Sequence, residues 1–145
     1  MFVPAKNAIR AWIEAHYSAL PMRWANEDWP GADPQATRDP FIECELIGGT
    51  NELRGFSSPG NRLWIHHGVF RFYVWQPWNT GMDAAYATAD EFAVFMERAE
   101  FGRDEATGRT VRTLDFSVHA NVAADEAGNY VVLLCSVPFD FYYTN

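Results

Sequence analysis

The residues most suggestive of chemistry in this sequence are two adjacent histidines, His66 and His67. They lie in a run with strand composition, where neighbouring side chains point to opposite faces, so they cannot chelate one ion together. His16 and His119 stand at no metal-ligand spacing to either. Cys44 and Cys135 sit in separate apolar strands without a CxxC or Cys/His cluster, and read as buried free thiols of a reducing compartment. Asp83, Asp90 and Glu91 could be imagined as paired acids, but a solvated helix face explains them. Ser57 and Ser58 have no base nearby in sequence. No phosphate-cradling glycine loop, GxSxG elbow or HExxH occurs. The expectation is therefore no catalytic residue, no cofactor and no metal, hence no enzyme.

The chain has 145 residues, the size of one domain, with 48% apolar and 21% charged side chains, which argues against disorder. Eleven Phe, six Trp and six Tyr are more than a core of this size usually needs. They fit either an aromatic-rich core or buried protein–protein surfaces, where Trp and Tyr concentrate. The net charge of −8, with Lys6 as the sole lysine and ten scattered arginines, offers no basic stripe for phosphates. No run of 18 apolar residues suggests a membrane span, and the first residues lack the order of a signal peptide.

The elements that would position these residues follow from periodicity. Pro4 to Leu20 reads as a helix burying Ile9, Trp12, Ile13, His16 or Tyr17, and Leu20. Pro21 to Pro40 has no period and reads as an ordered loop pinned by Trp24 and Trp29. Phe41 to Ile47 alternates as a strand near an edge. Gly48 to Asn61 reads as a second long loop. Leu63 to Trp75 is one long strand, or two with a break at Gly68, apolar on both faces and either central and covered twice or covered by another subunit.

Residues 76–81 break that strand, and Thr80-Gly-Met-Asp83 has capping-box spacing for a helix through Met96. That helix is expected to bury Ala85, Ala89, Phe92, Phe95 and Met96, with Ala99 after them. A turn at Thr107-Gly108-Arg109 precedes a strand from Val111 to Val118. Asp125 to Asn129 reads as a hairpin loop, and Tyr130 to Tyr143 as a closing strand that Pro138 pushes toward a sheet edge. The fold class is α+β: a single domain, residues 1–145, with a mostly antiparallel sheet and two packed helices.

Leu53, Arg54, Phe56, Trp64, Tyr73, Trp75 and Trp78 are the candidate contact residues for another subunit or partner. The long loop carries apolar side chains that a solvating connector does not need, and the strand is apolar on both sides.

Several short motifs occur in a telling order: Trp24-Ala-Asn26, then Gly68-Val-Phe-Arg-Phe-Tyr-Val, Pro77-Trp-Asn-Thr-Gly81, Ala89-Asp90 in an Ala-rich helix, and Val137-Pro-Phe-Asp-Phe-Tyr. From Ala8 to Tyr143 this pattern resembles the tail terminator (tail completion) proteins of long-tailed bacteriophages and phage-like particles. The resemblance implies an α+β subunit forming a homohexameric ring on the tail tube, at the tail–neck junction of a virion assembled in the host cytoplasm. It implies as partners the chain itself, the tail tube protein and a head–tail connector or stopper protein, with no catalytic residues. DNA would pass through without specific binding; six copies would carry roughly −48, repelling its backbone. The loop from Trp24 to Pro40 and the doubled Trp75 and Trp78 depart from the family pattern. Two other readings stand beside this one: another neck component (a stopper or head-completion protein), and a small α+β ligand-binding domain or enzyme.

Overall fold

In the computed structural model, which describes residues 2–55, 57–119, 122–123 and 128–145, the chain is α+β, with two helices on one face of a mostly antiparallel sheet. The elements in order are α1 (Phe2–His16), β1 (Met22–Trp24), β2 (Phe41–Ile47), β3 (Asn51–Leu53), β4 (Leu63–Pro77), α2 (Asp83–Met96), β5 (Glu100–Asp104), β6 (Arg109–Thr113), β7 (Ser117–Val118), β8 (Val122–Ala123) and β9 (Tyr130–Thr144).

The spine of the sheet is the antiparallel pair β4 and β9, in register without a break from Leu63↔Thr144 to Pro77↔Tyr130. Shorter strands complete each side. On β4 these are β2, along residues 69–75, and β3, along 64–66. On β9 they are β6, β7 and β8 in succession. The outer strands β1, parallel to β2, and β5, antiparallel to β6, give the order β1-β2-β4-β9-β6-β5.

Alternation then sorts the side chains. Even positions of β4 and odd positions of β9 enter one core: Phe70, Phe72 and Val74 with Leu133, Cys135, Val137, Phe139 and Phe141. α1 adds Ala5, Ile9 and Ile13, and α2 adds Ala85, Ala89, Phe92 and Met96, each set at the i, i+3 or i+4 spacing of one helix face. Phe72 stacks on Phe92 at 4.3 Å, and Tyr17 packs on the same ring at 4.7 Å.

The structure differs from several expectations. α1 ends at His16, with Tyr17 held by one further turn to the Ile13 carbonyl, so Tyr17 is the buried member of the pair and His16 is exposed. The first loop contains β1, which ends in a buried Trp24. The strand expected from Val111 to Val118 is β6 and β7, parted at residues 114–116.

Thr80 makes no capping box. Its hydroxyl donates to the Pro77 carbonyl and accepts from Gln76, and the cap at Met82 has no side-chain bond. The end of α2 is tied instead from β6. The buried Thr113 hydroxyl donates to the Met96 carbonyl at 2.5 Å and accepts from the Ala99 N–H at 2.8 Å.

Pro138 lies in an interior strand. Its carbonyl accepts from the Leu114 N–H, so the N–H it lacks would face the same neighbour, at the gap where β6 has ended and β7 has not begun. Most of the expected loop from Asp125 to Asn129 lies outside the described residues.

Candidate functional site

The face of the sheet turned away from the helices is built from odd positions of β2 and β4 and even positions of β9. Successive rows across it are Phe41, Trp75 and Val132, then Glu43, Tyr73 and Leu134, then Glu45, Arg71 and Ser136, then Ile47, Val69 and Pro138. Its two ends are finished differently.

At the Phe41 end the long first loop folds over the sheet. Trp29 meets Phe41 edge-on at 5.1 Å, Phe41 stacks on Trp75 at 5.2 Å, and Tyr130 meets both rings edge-on. The Tyr130 hydroxyl donates to the Asp39 carbonyl at 3.1 Å, and Arg10 of α1 grips Glu27 with bonds of 2.8 and 2.9 Å, which anchors the loop at both ends. Part of the aromatic excess is therefore a second small core, separate from the one beneath the helices.

Beyond Tyr73 the same face is only half-covered. Val69, Arg71, Tyr73, Leu134, Ser136 and Pro138 are all of intermediate burial, and Ile47 is exposed. Its charges are matched locally. Glu45 accepts from Arg71 at 2.6 Å and from the Tyr73 hydroxyl at 2.7 Å. Burial, and then that bond to Glu45, raises the Tyr73 pKa. The result is a broad, charge-balanced surface with apolar centres at Val69, Leu134 and Pro138, which suits contact with another protein surface.

The candidate contact residues do not converge. Tyr73 and Trp75 lie on this face, Trp75 within its covered end. Trp78, 64% exposed, stands on the turn into α2, where Asn79 and Gly81 take left-handed backbone angles. Trp64, on the helix side, is half-buried against the core and pairs with Leu53 across β3 and β4. Leu53 is half-buried and held in β3, so the stretch expected to be a second long loop contains a short strand paired with β4. Arg54 is exposed and pairs with Glu52 of its own chain at 3.3 Å. Phe56 lies outside the described residues. Since β4 extends about 3.3 Å per residue, Trp64 and Trp78 stand at its opposite ends, roughly 45 Å apart.

Sequence reasoning missed Ile47, Val69 and Leu114, which add apolar surface here; the alternation of Phe41–Ile47 and Leu63–Pro77 was the available signal for the first two.

His66 and His67 point to opposite faces, His66 buried beneath Phe2 and His67 on the half-covered face. Among the described residues no group of three or more His, Cys, Asp or Glu side chains is placed to hold a metal ion, and no helix is long and apolar enough to cross a membrane. A hollow of about 400 Å³ lies on the β5–β6 hairpin among Glu100, Arg103, Asp104, Arg109 and Arg112, where Arg112 pairs with Glu100. It carries charge of both signs.

No family model matches this sequence, and no curated protein matches it. Among solved structures 17 chains match. One of them, named without reference to any function, superposes with a TM-score of 0.64 at 20% identity, over 94% of each chain. That likeness over nearly the full length shows that the α+β fold recurs in a solved protein. At 20% identity it shows the fold alone.

Proposed function

We propose that the chain is a structural subunit that assembles into a ring: the tail terminator of a long-tailed phage or phage-like particle, acting without catalysis. The observation that carries this reading is the half-covered face of the sheet. Two paired fifteen-residue strands form a stiff platform whose second side keeps Val69, Leu134, Pro138 and Ile47 within reach of a neighbour, with its charges already balanced. The order of sequence motifs supports the particular family. In this role a ring of six copies caps the tail tube, stops its polymerisation and presents its other side to the head connector or stopper, while DNA passes through an acidic opening. The assembly site is the host cytoplasm and the final location the tail–neck junction.

Electron microscopy of the purified protein, alone and mixed with its tail tube protein, tests this. Rings with a central hole that shorten or cap growing tubes are expected. A chain that remains monomeric at high concentration and leaves tube growth unchanged overturns the reading.

A further inference from the structure

On the half-covered face, His67 of β4 stands between carboxylates from two other strands. Its Nδ1 lies 2.6 Å from Oδ1 of Asp140 on β9, and its Nε2 lies 3.1 Å from Oε2 of Glu52 on β3. A carboxylate only accepts, and a neutral imidazole carries a single N–H, so both contacts are hydrogen bonds only when both ring nitrogens are protonated. We propose that His67 is a proton-operated clasp: the imidazolium fastens the segment from Thr50 to Arg54 onto the sheet by bridging Glu52 to Asp140, and loss of one proton releases Glu52.

The surroundings favour this device. The backbone already brings the segment in, with the His67 N–H donating to the Thr50 carbonyl and the Arg54 N–H to the Leu63 carbonyl. A Cβ on Gly49 would stand 2.0 Å from the His67 carbonyl oxygen, so the chain passes too close there for any side chain. The other charged groups near the clasp are engaged: Arg54 with Glu52 at 3.3 Å, Arg112, the register partner of Asp140, with Glu100 at 3.4 Å, and Arg71 with Glu45. Gly48, Thr50, Val69, Leu114 and Pro138 around it carry no charge.

On deprotonation the shorter bond to Asp140 is kept and the bond to Glu52 is lost. From the opposite face Asn51 remains tied to His66 and Tyr143, so the segment loosens without detaching. The hydrogen bonds to Glu52 and then Asp140 raise the His67 pKa. The docking is therefore complete below the ordinary histidine value and fades as pH rises through the raised one.

The clasp rests on this geometry alone; its bearing on assembly rests on the ring reading. Histidine-ring NMR on the full chain locates the His67 titration, and amide exchange at residues 51–54 reports docking. Protection there should fall about tenfold for each unit by which the docked His67 pKa exceeds its value with Glu52 released and Asp140 still bonded, while protection in the middle of β4 and β9 stays constant. Glu52→Gln should flatten that dependence, because an amide can accept from or donate to the ring. Unchanged protection across the His67 titration, or titration at or below the ordinary value, overturns the clasp. Sedimentation over the same pH range separates the two ideas. If the clasp titrates while association does not change, the docked segment is no part of the interface and the clasp still stands.

Discussion

Cys44 and Cys135 flank Phe72 in one row of the sheet, each on the strand next to β4 and each facing the core beneath the helices. Strands lie about 4.8 Å apart, so the two cysteines are separated by roughly 9.6 Å, beyond the Cα span a disulfide tolerates. Both are fully buried. Burial pushes the Cys135 thiol up to about 12 and raises that of Cys44 as well. Neither is a thiolate at neutral pH, and neither can reach the other without dismantling β4.

The first prediction is that a thiol reagent finds no reactive cysteine in the native protein and two per chain in denaturant, with or without prior exposure to mild oxidant. Rapid labelling of the native state would sink this assignment.

A second prediction concerns Thr113. Thr113→Val keeps the volume but leaves the Met96 carbonyl and the Ala99 N–H without their bonds, at a cost of about 1–3 kcal/mol. Thr113→Ser should restore most of that stability, because it keeps the hydroxyl. Equal denaturation midpoints for valine and serine variants would mean that the hydroxyl bonds contribute nothing.

Gly68 supplies a third. A Cβ there would sit 2.6 Å from Cζ of Phe139, the residue opposite it on β9. Gly68→Ala should therefore destabilise by about 1–3 kcal/mol through overpacking. Phe139→Leu in the same chain should make the double variant less unstable than the sum of the two changes. Additive losses in urea denaturation would show that the ring is not what the methyl group meets.

The fourth prediction separates folding from assembly. Val69→Glu places a charge on the half-covered face, where Val69 is of intermediate burial, so the circular dichroism spectrum should be unchanged and Tm should move by only a few degrees. Self-association measured by sedimentation should weaken at least about tenfold, since a buried unpaired charge costs well over 1.4 kcal/mol. Association as tight as that of the parent chain would place the interface elsewhere.

Phe41–Ile47 was legible residue for residue, because apolar and acidic side chains alternate on a strand with one wet side. The start of β4 was equally clear from its β-branched and aromatic run. The strands that escaped are short and do not alternate. β5 holds Glu100, Arg103 and Asp104 around Gly102, whose left-handed backbone suggests a turn, yet Trp12 stacks on its Phe101 at 4.8 Å. β3 hides in a glycine-rich stretch because its pairing with β4 is a tertiary fact. Pro138 misleads for the same reason, since only the gap between β6 and β7 makes its place in the middle of a sheet tolerable. As for the candidate site, the double apolar character of β4 was visible. That one end of its second face is closed by the chain's own loop depends on Trp29 and Tyr130 both packing on Phe41, and on the Tyr130 hydroxyl reaching Asp39 from 91 positions away, which no local pattern records.

The β4–β9 ladder joins residues 53 to 81 positions apart in the chain, from Pro77↔Tyr130 to Leu63↔Thr144. A ribosome must therefore translate past residue 137 before the middle of this ladder, Phe70↔Val137, can close. Until then β4, apolar on both sides, waits with one long edge unsatisfied, the state in which strands recruit the wrong neighbour. For the ring subunit proposed above, the interval between synthesis of β4 and arrival of β9 is when misassembly competes best with folding. Slowing translation between residues 77 and 130 should cost more soluble protein than slowing it anywhere before residue 63.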